Sequence, residues 1–183
     1  MEMSSRSCGS CSLCCKVLRI DALEKPPHEW CRHVVDGGGC GIYAKRPKVC
    51  RGFQCRWLFD EALGPEWKPD VSGFVLSYSK TGLGLWANVD LEAPGSWRRS
   101  PYYAQLKQWF AVACHGGGCV AICVGERVLV IFPEEDLEIQ GCDSEADIKV
   151  GYRCNPLGVR PLVMVRRADG SVSEFLGALC ATA

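Results

Sequence analysis

Eight of the fourteen cysteines in this 183-residue chain lie at or before Cys55, and the other six are scattered behind them. The first run is Cys8-x2-Cys11-x2-Cys14-Cys15, followed by Cys31, Cys40, Cys50 and Cys55. Two-residue spacing lets successive thiolates turn toward one ion from a tight loop, as in zinc ribbons and ferredoxins. Adjacent Cys14 and Cys15 point in different directions, so both ligating one mononuclear ion is strained. They suit two neighbouring ions, or one ligand beside a redox-active or structural thiol. Eight thiolates would fill two tetrahedral four-cysteine sites; four would fill one iron–sulfur cluster and leave four over. The pattern is specific for metal and silent on which metal. Buried cysteines that act as small apolar residues do not ordinarily come as C-x2-C-x2-CC in a loop.

Charge follows the same division. Through residue 60 there are 10 Lys+Arg and 6 Asp+Glu, a net of +4, and the remainder of the chain carries a net of −4. Lys45, Arg46, Lys48, Arg51 and Arg56 stand among Cys40, Cys50 and Cys55. Cations there stabilise thiolates and lower thiol pKa values; the alternative is an ordinary solvated basic face. His33, two residues after Cys31, is either a non-thiol ligand or a neighbour of the site. Arg46 and Arg51 are candidate partners for a carboxylate, a phosphate or the site's own charge. Tyr43 and Phe53 are candidates for the apolar cover that restricts solvent around a metal. The net charge of the whole chain is zero, which removes any overall electrostatic case for nucleic-acid or membrane partners.

The elements that must hold these residues fall into two parts. Residues 1–60 read as a loop-rich metal-binding region with Pro26-Pro27, the Gly37–Gly39 triplet and few large aliphatics. Such a stretch needs metal ligation to order it. A helix is expected from Arg46, with Pro47 at its first position, through Leu58. Residues 61–183 read as an α+β remainder forming one integrated domain, with antiparallel hairpins on which the cysteine region packs. Strands are expected at Phe74–Tyr78 and Leu83–Val89, joined near Thr81-Gly82, at Cys119–Val124 and Arg127–Phe132 around Gly125-Glu126, and at Pro161–Arg166 and Val172–Leu176. One main helix is expected after Ser100-Pro101, with Tyr103, Leu106, Phe110 and Ala113 on its apolar stripe and Gly116 at its end.

The ordered set Cys8-x2-Cys11-x2-Cys14-Cys15, Trp30-Cys31-x-His33, Gly39-Cys40-x-Ile42-Tyr43-x2-Arg46-Pro47-x2-Cys50-Arg51-x-Phe53-x-Cys55 resembles the CxxCxxCC cysteine-cluster family of YkgJ type. The resemblance covers about the first third of the chain. It implies a bacterial protein whose metal ligands are Cys8, Cys11, Cys14, Cys15, Cys31, Cys40, Cys50 and Cys55, holding zinc or iron, with no reaction assigned to most members. Flagellin lysine N-methylases are distantly similar, which implies a metal-dependent protein-modifying enzyme with a protein substrate as an alternative function. A thiol- or metal-handling protein is a second alternative.

The remaining motifs carry less. Cys114-His115-Gly116-Gly117-Gly118-Cys119 reads as a helix end, where His favours the negative dipole and Gly caps; a nucleophile or an extra metal site is the other reading. Cys119 and Cys123 read as core, and Cys142 and Cys154 flank a stretch expected to be irregular. Trp97-Arg98-Arg99 offers either packing or an exposed stacking patch. No dinucleotide fingerprint or P-loop occurs, and S-adenosylmethionine stays open as a cofactor without a motif. No apolar run approaches membrane-spanning length and no secretory leader pattern opens the chain, so a cytoplasmic location, where thiols stay reduced, is expected.

Overall fold

The structure, a computed structural model, describes residues 6–79, 84–140, 147–156, 158–167 and 169–178. It is α+β. The chain divides into two compact units, one of residues up to Ser77 together with Ala87–Trp97, the other of Tyr78–Trp86 together with residues from Arg98 onward. Residue 60, where the sequence suggests a change of character, lies inside the first unit.

The first unit is built from short pieces. Helices α1 (Leu13–Val17), α2 (Lys48–Gly52), α3 (Arg56–Phe59) and α4 (Pro69–Ser72) span one turn or little more. The single helix expected from Arg46 to Leu58 is two helices, because the backbone is extended at Phe53 (ψ 124°) and at Cys55 (φ −66°, ψ 117°). Pro47 precedes α2 as its cap. Between α1 and α2 the chain runs through turns held by two isolated bridges, Ile20 with Lys25 and Val34 with Cys40. Strand β1 (Phe74–Tyr78) and strand β2 (Leu85–Val89) follow. The expected turn at Thr81-Gly82 and the start of the second strand at Leu83 lie outside the described residues.

The second unit has longer elements. Helix α5 (Tyr102–Ala113) packs on β3 (Val120–Val124) and β4 (Arg127–Ile131). Tyr102, Leu106 and Phe110, four residues apart, are its buried stripe. Tyr103, one position off that stripe, instead donates its hydroxyl to Asp136 Oδ1 at 3.0 Å. Strands β3 and β4 pair antiparallel around Gly125, whose φ of +62° is the one that a two-residue loop with Gly first requires. With β5 (Asp136–Ile139), the order in the larger sheet is β1-β2-β3-β4-β5. Strands β6 (Asp147–Asn155), β7 (Gly158–Arg166) and β8 (Val172–Leu176) form a second, antiparallel sheet. Cys154 therefore lies in a strand rather than beside an irregular stretch; Cys142 lies outside the described residues. Ile148, Val150, Val163 and Val165 are the buried face of that sheet. Trp97 is 2% exposed, so it packs and offers no stacking patch. Among the described residues, no helix is long and apolar enough to cross a membrane.

Candidate metal centre

All twelve described cysteines are free thiols. The eight from Cys8 to Cys55 all fall in the first unit. The first run begins with a turn in which the Cys11 N–H donates to the Cys8 carbonyl at 2.9 Å. Helix α1 then carries Leu13, Cys14, Cys15, Lys16 and Val17. Leu13 and Val17, four apart, face an apolar cluster with Cys55 and Val75, against which Cys11, Cys14, Phe53, Trp57 and Leu58 also pack. Phe53 is thus partly buried against this cluster. Cys15 leaves the helix elsewhere: its carbonyl accepts the Cys31 N–H at 3.0 Å, which ties the next cysteine loop to the helix.

That loop is a small hairpin. The Val34–Cys40 bridge and a Gly41 N–H donated to the His33 carbonyl at 2.8 Å draw Cys31 and Cys40 toward one another in space. Its tip is the Gly37–Gly39 triplet, each with positive φ. A Cβ at Gly38 would collide with the Ser10 carbonyl, and the Gly39 N–H donates to Ser12 Oγ at 2.6 Å. Glycine here is required by close approach as well as by φ, and the approach seats the hairpin on the Cys8–Cys15 run. The two remaining cysteines come from helix starts and turns, Cys50 from α2 and Cys55 from the cap of α3.

Burial raises most of these thiols, and two kinds of neighbour work against it. Backbone N–H groups of Trp57 and Leu58 near Cys55, and of Leu13 and Asp70 near Cys11, pull those thiols down, the Leu58 N–H itself being donated to the Cys55 carbonyl at 3.0 Å. These donors oppose the burial that lifts Cys11 and pushes Cys55 up to about 11. Hydrogen bonds of this kind to cysteine sulfur are what tune metal–thiolate centres. The second means is cationic. The Cys14 and Cys15 sulfurs stand 4.0 Å apart. The hydrogen bond between them, aided by Lys25 and Arg46, holds Cys15 down at about 7, while Cys14, as donor and by burial, is raised. Burial raises Cys8 and Cys50, with Arg46 opposing in both.

Lys25 was not singled out by motif or spacing. It is buried, and its ammonium donates to the carbonyls of Lys16, Leu18 and Pro26 at 2.7, 2.5 and 2.8 Å. It fixes the end of α1 while placing a positive charge near Cys15, Cys31 and Cys14. Lys16 is buried as well, held by Asp90 at 2.9 Å and Glu92 at 2.8 Å and lying 5.4 Å from the Trp30 ring centre. Its partners stand more than 70 residues away in sequence, which is why local pattern does not reveal the pair. The adjacency of Lys16 to Cys15 is the one sequence signal that points to it.

Other expected contributors are placed less centrally. Tyr43 is 53% exposed and carries the Arg46 guanidinium over its ring at 3.6 Å, so it does not shield the thiols. Arg51 is exposed. His33 is part-buried, and its described role is its backbone carbonyl in the hairpin. In the second unit, His115 Nδ1 lies 2.7 Å from the Ala111 carbonyl at the end of α5, the helix-end geometry expected. Cys119 and Cys123 are buried in the core.

Among the described residues, no three Cys, His, Asp or Glu side chains already stand closed around a metal position. What the structure brings together is backbone: four segments of the first unit that carry eight thiols. No protein-family model, curated protein or solved structure matches the chain.

Proposed function

We propose that the first unit is a thiolate metal-binding module that takes zinc or iron through Cys8, Cys11, Cys14, Cys15, Cys31, Cys40, Cys50 and Cys55. The observation that carries this reading is the gathering of the eight cysteines in the first unit, where the Cys31–Cys40 hairpin is seated on the Cys8–Cys15 run by the Gly39 N–H on Ser12 Oγ and by the close approach of Gly38 to the Ser10 carbonyl, in a stretch with few buried apolar side chains. Metal binding requires deprotonated thiols; Cys15 is held down by its hydrogen bond with Cys14 and by Lys25 and Arg46, whereas burial raises Cys8, Cys11, Cys50 and Cys55, so a bound cation must displace their protons. Full thiolate ligation leaves no open coordination position, so a zinc ion held in this way is structural. An iron–sulfur centre in the same ligands would supply electron transfer.

The test is anaerobic purification of the full chain followed by elemental analysis and a visible spectrum. Zinc in a colourless protein, or iron with stoichiometric sulfide in a brown one, supports the reading and names the metal. A folded protein with neither, in which Cys8, Cys11, Cys14 and Cys15 are all freely alkylated, would overturn it.

A further inference from the structure

We propose that Cys14 and Cys15 ligate one and the same tetrahedral metal ion, as a chelate formed by adjacent residues. The ion is zinc, or an iron that takes two cysteines as each iron of a two-iron cluster does. This rests on the metal-binding reading and adds to it which thiols share an ion and which class of centre they suit.

The distance between the sulfurs carries the proposal. Two thiolates on a tetrahedral ion, with metal–sulfur bonds of about 2.3 Å, stand about 3.8 Å apart. The Cys14 and Cys15 sulfurs are 4.0 Å apart, so one ion can join them with almost no movement. Consecutive residues on a helix point about 100° apart, which is why a shared ion looks strained from the sequence. The two side chains turn toward one another and remove that strain. The same distance sets the pair against a four-iron cluster. Each iron there takes one cysteine, and sulfurs on different irons are held farther apart by the cluster between them.

The backbone under the pair is fixed before any ion arrives. Leu13 and Val17, on either side of it in α1, are buried in the cluster with Cys55 and Val75. Lys16, the next residue, is held by Asp90 at 2.9 Å and Glu92 at 2.8 Å. The Cys15 N–H donates to the Ser12 carbonyl at 2.8 Å, and the Cys15 carbonyl accepts the Cys31 N–H at 3.0 Å. The Cys14 carbonyl accepts the Leu18 N–H at 3.3 Å. Ligands on a backbone already ordered lose little freedom on binding. Neither thiol is fully buried, so an ion can reach both from solvent. Among the described residues no third ligand already stands at the pair, and the remaining positions are filled by thiols that other cysteine loops bring to it.

The test uses the full chain, purified anaerobically, stripped of metal and reloaded with cadmium-113 as a spectroscopic substitute for zinc. Proton–cadmium correlation spectra are expected to link the β-protons of Cys14 and of Cys15 to a shared cadmium resonance. Cadmium bound with no resonance shared by the two residues would overturn the proposal. This measurement needs no variant to fold. Zinc content of Cys14→Ser, Cys15→Ser and the double variant gives a second readout. Each single variant should lose the same one equivalent, and the double variant no more than that. A double variant that loses two equivalents where each single variant loses one would show two ions and overturn the proposal. So would a four-iron spectrum in the purified wild type that disappears in both single variants. A folded wild type that takes up no zinc, cadmium or iron removes the metal-binding reading itself, and the proposal with it.

Discussion

From Cys119 to Phe132, ten of fourteen residues are buried apolar side chains; from Cys8 to Cys55, only five of 48 are, and two of those five are cysteines. Both stretches are described throughout, and they solve the same problem by different means. In the second unit, Phe110, Phe132, Ile122 and Val130 are sealed between α5 and the sheet. Each such burial contributes roughly 1.5–3 kcal/mol, enough in sum to offset the entropy of ordering the chain. In the first unit the helices are too short to stand alone, and polar devices supplement the sparse core: the buried Lys16–Asp90 pair and the Lys25 ammonium on three carbonyls. The contrast teaches that cysteine has two uses in one chain. Cys119 and Cys123 are apolar volume in a full core, whereas the eight early ones stand in a stretch with few buried apolar side chains.

The largest expected effect breaks the chain along that contrast. Structural zinc contributes on the order of 10–16 kcal/mol to small thiolate modules, far more than the first unit's apolar burial. Chelation should therefore abolish amide hydrogen-exchange protection at Cys31 and Gly41, whose N–H bonds tie the cysteine loops. Protection in β3 and β4 should survive. If both regions lost protection together, the two would be one cooperative body and the comparison would fail.

The reciprocal cut is Phe110→Ala. This ring is 1% exposed and lies 4.8 Å from the Phe132 ring, so truncation should cost about 3–5 kcal/mol. Denaturant unfolding should show the loss, and metal content in elemental analysis should not change.

These two outcomes depend on features of unequal legibility. The β3–β4 hairpin could be read directly, since two continuous apolar runs flank a Gly that needs positive φ. The stripe of α5 was legible to within one residue, Tyr102 standing where Tyr103 was expected because the tyrosine hydroxyl found Asp136. Helices α2 and α3 were merged in the reading because local propensity does not show that Cys55 takes an extended capping conformation. Strand β6 was missed because Gly151 and its charged neighbours blur the alternation, and its identity comes from nine-residue pairing with β7. At the candidate site, the cysteines and their order are visible in spacing, but the buried Lys25 on three carbonyls and the Lys16–Asp90 pair depend on contacts that no local pattern reveals.

A middle-sized effect tests whether buried charge stands in for core in the first unit. Lys16→Ala leaves Asp90, with its side chain 13% exposed, without its 2.9 Å partner. Breaking a buried pair from one side costs about 3–5 kcal/mol, reduced here because Asp90 keeps some access to water. A loss of roughly 2–3 kcal/mol in denaturant unfolding is expected. Lys16→Met, which keeps the stem's packing over Trp30, should lose less. Equal losses would show that packing, not charge, is what Lys16 supplies.

The smallest effect concerns an ion pair where the apolar core already suffices. Arg127 forks onto Glu138 across β4 and β5, with Nε and Nη2 donating at 2.9 and 2.7 Å. Both side chains reach water, and exposed pairs of this kind contribute little. The hydrogen bond from Arg127 holds the Glu138 carboxyl below its ordinary 4.5. A carboxyl depressed in the folded state adds stability that is present above the unfolded value and fades as pH falls through the folded one. Glu138→Gln should therefore differ slightly from wild type at pH 7, and the difference should shrink as the pH is lowered to about 3, below the ordinary carboxylate values. Urea midpoints at the two pH values provide the check. A difference at pH 7 as large as that of Lys16→Ala would mean that the second unit, too, relies on charge, and the contrast between the regions would be lost.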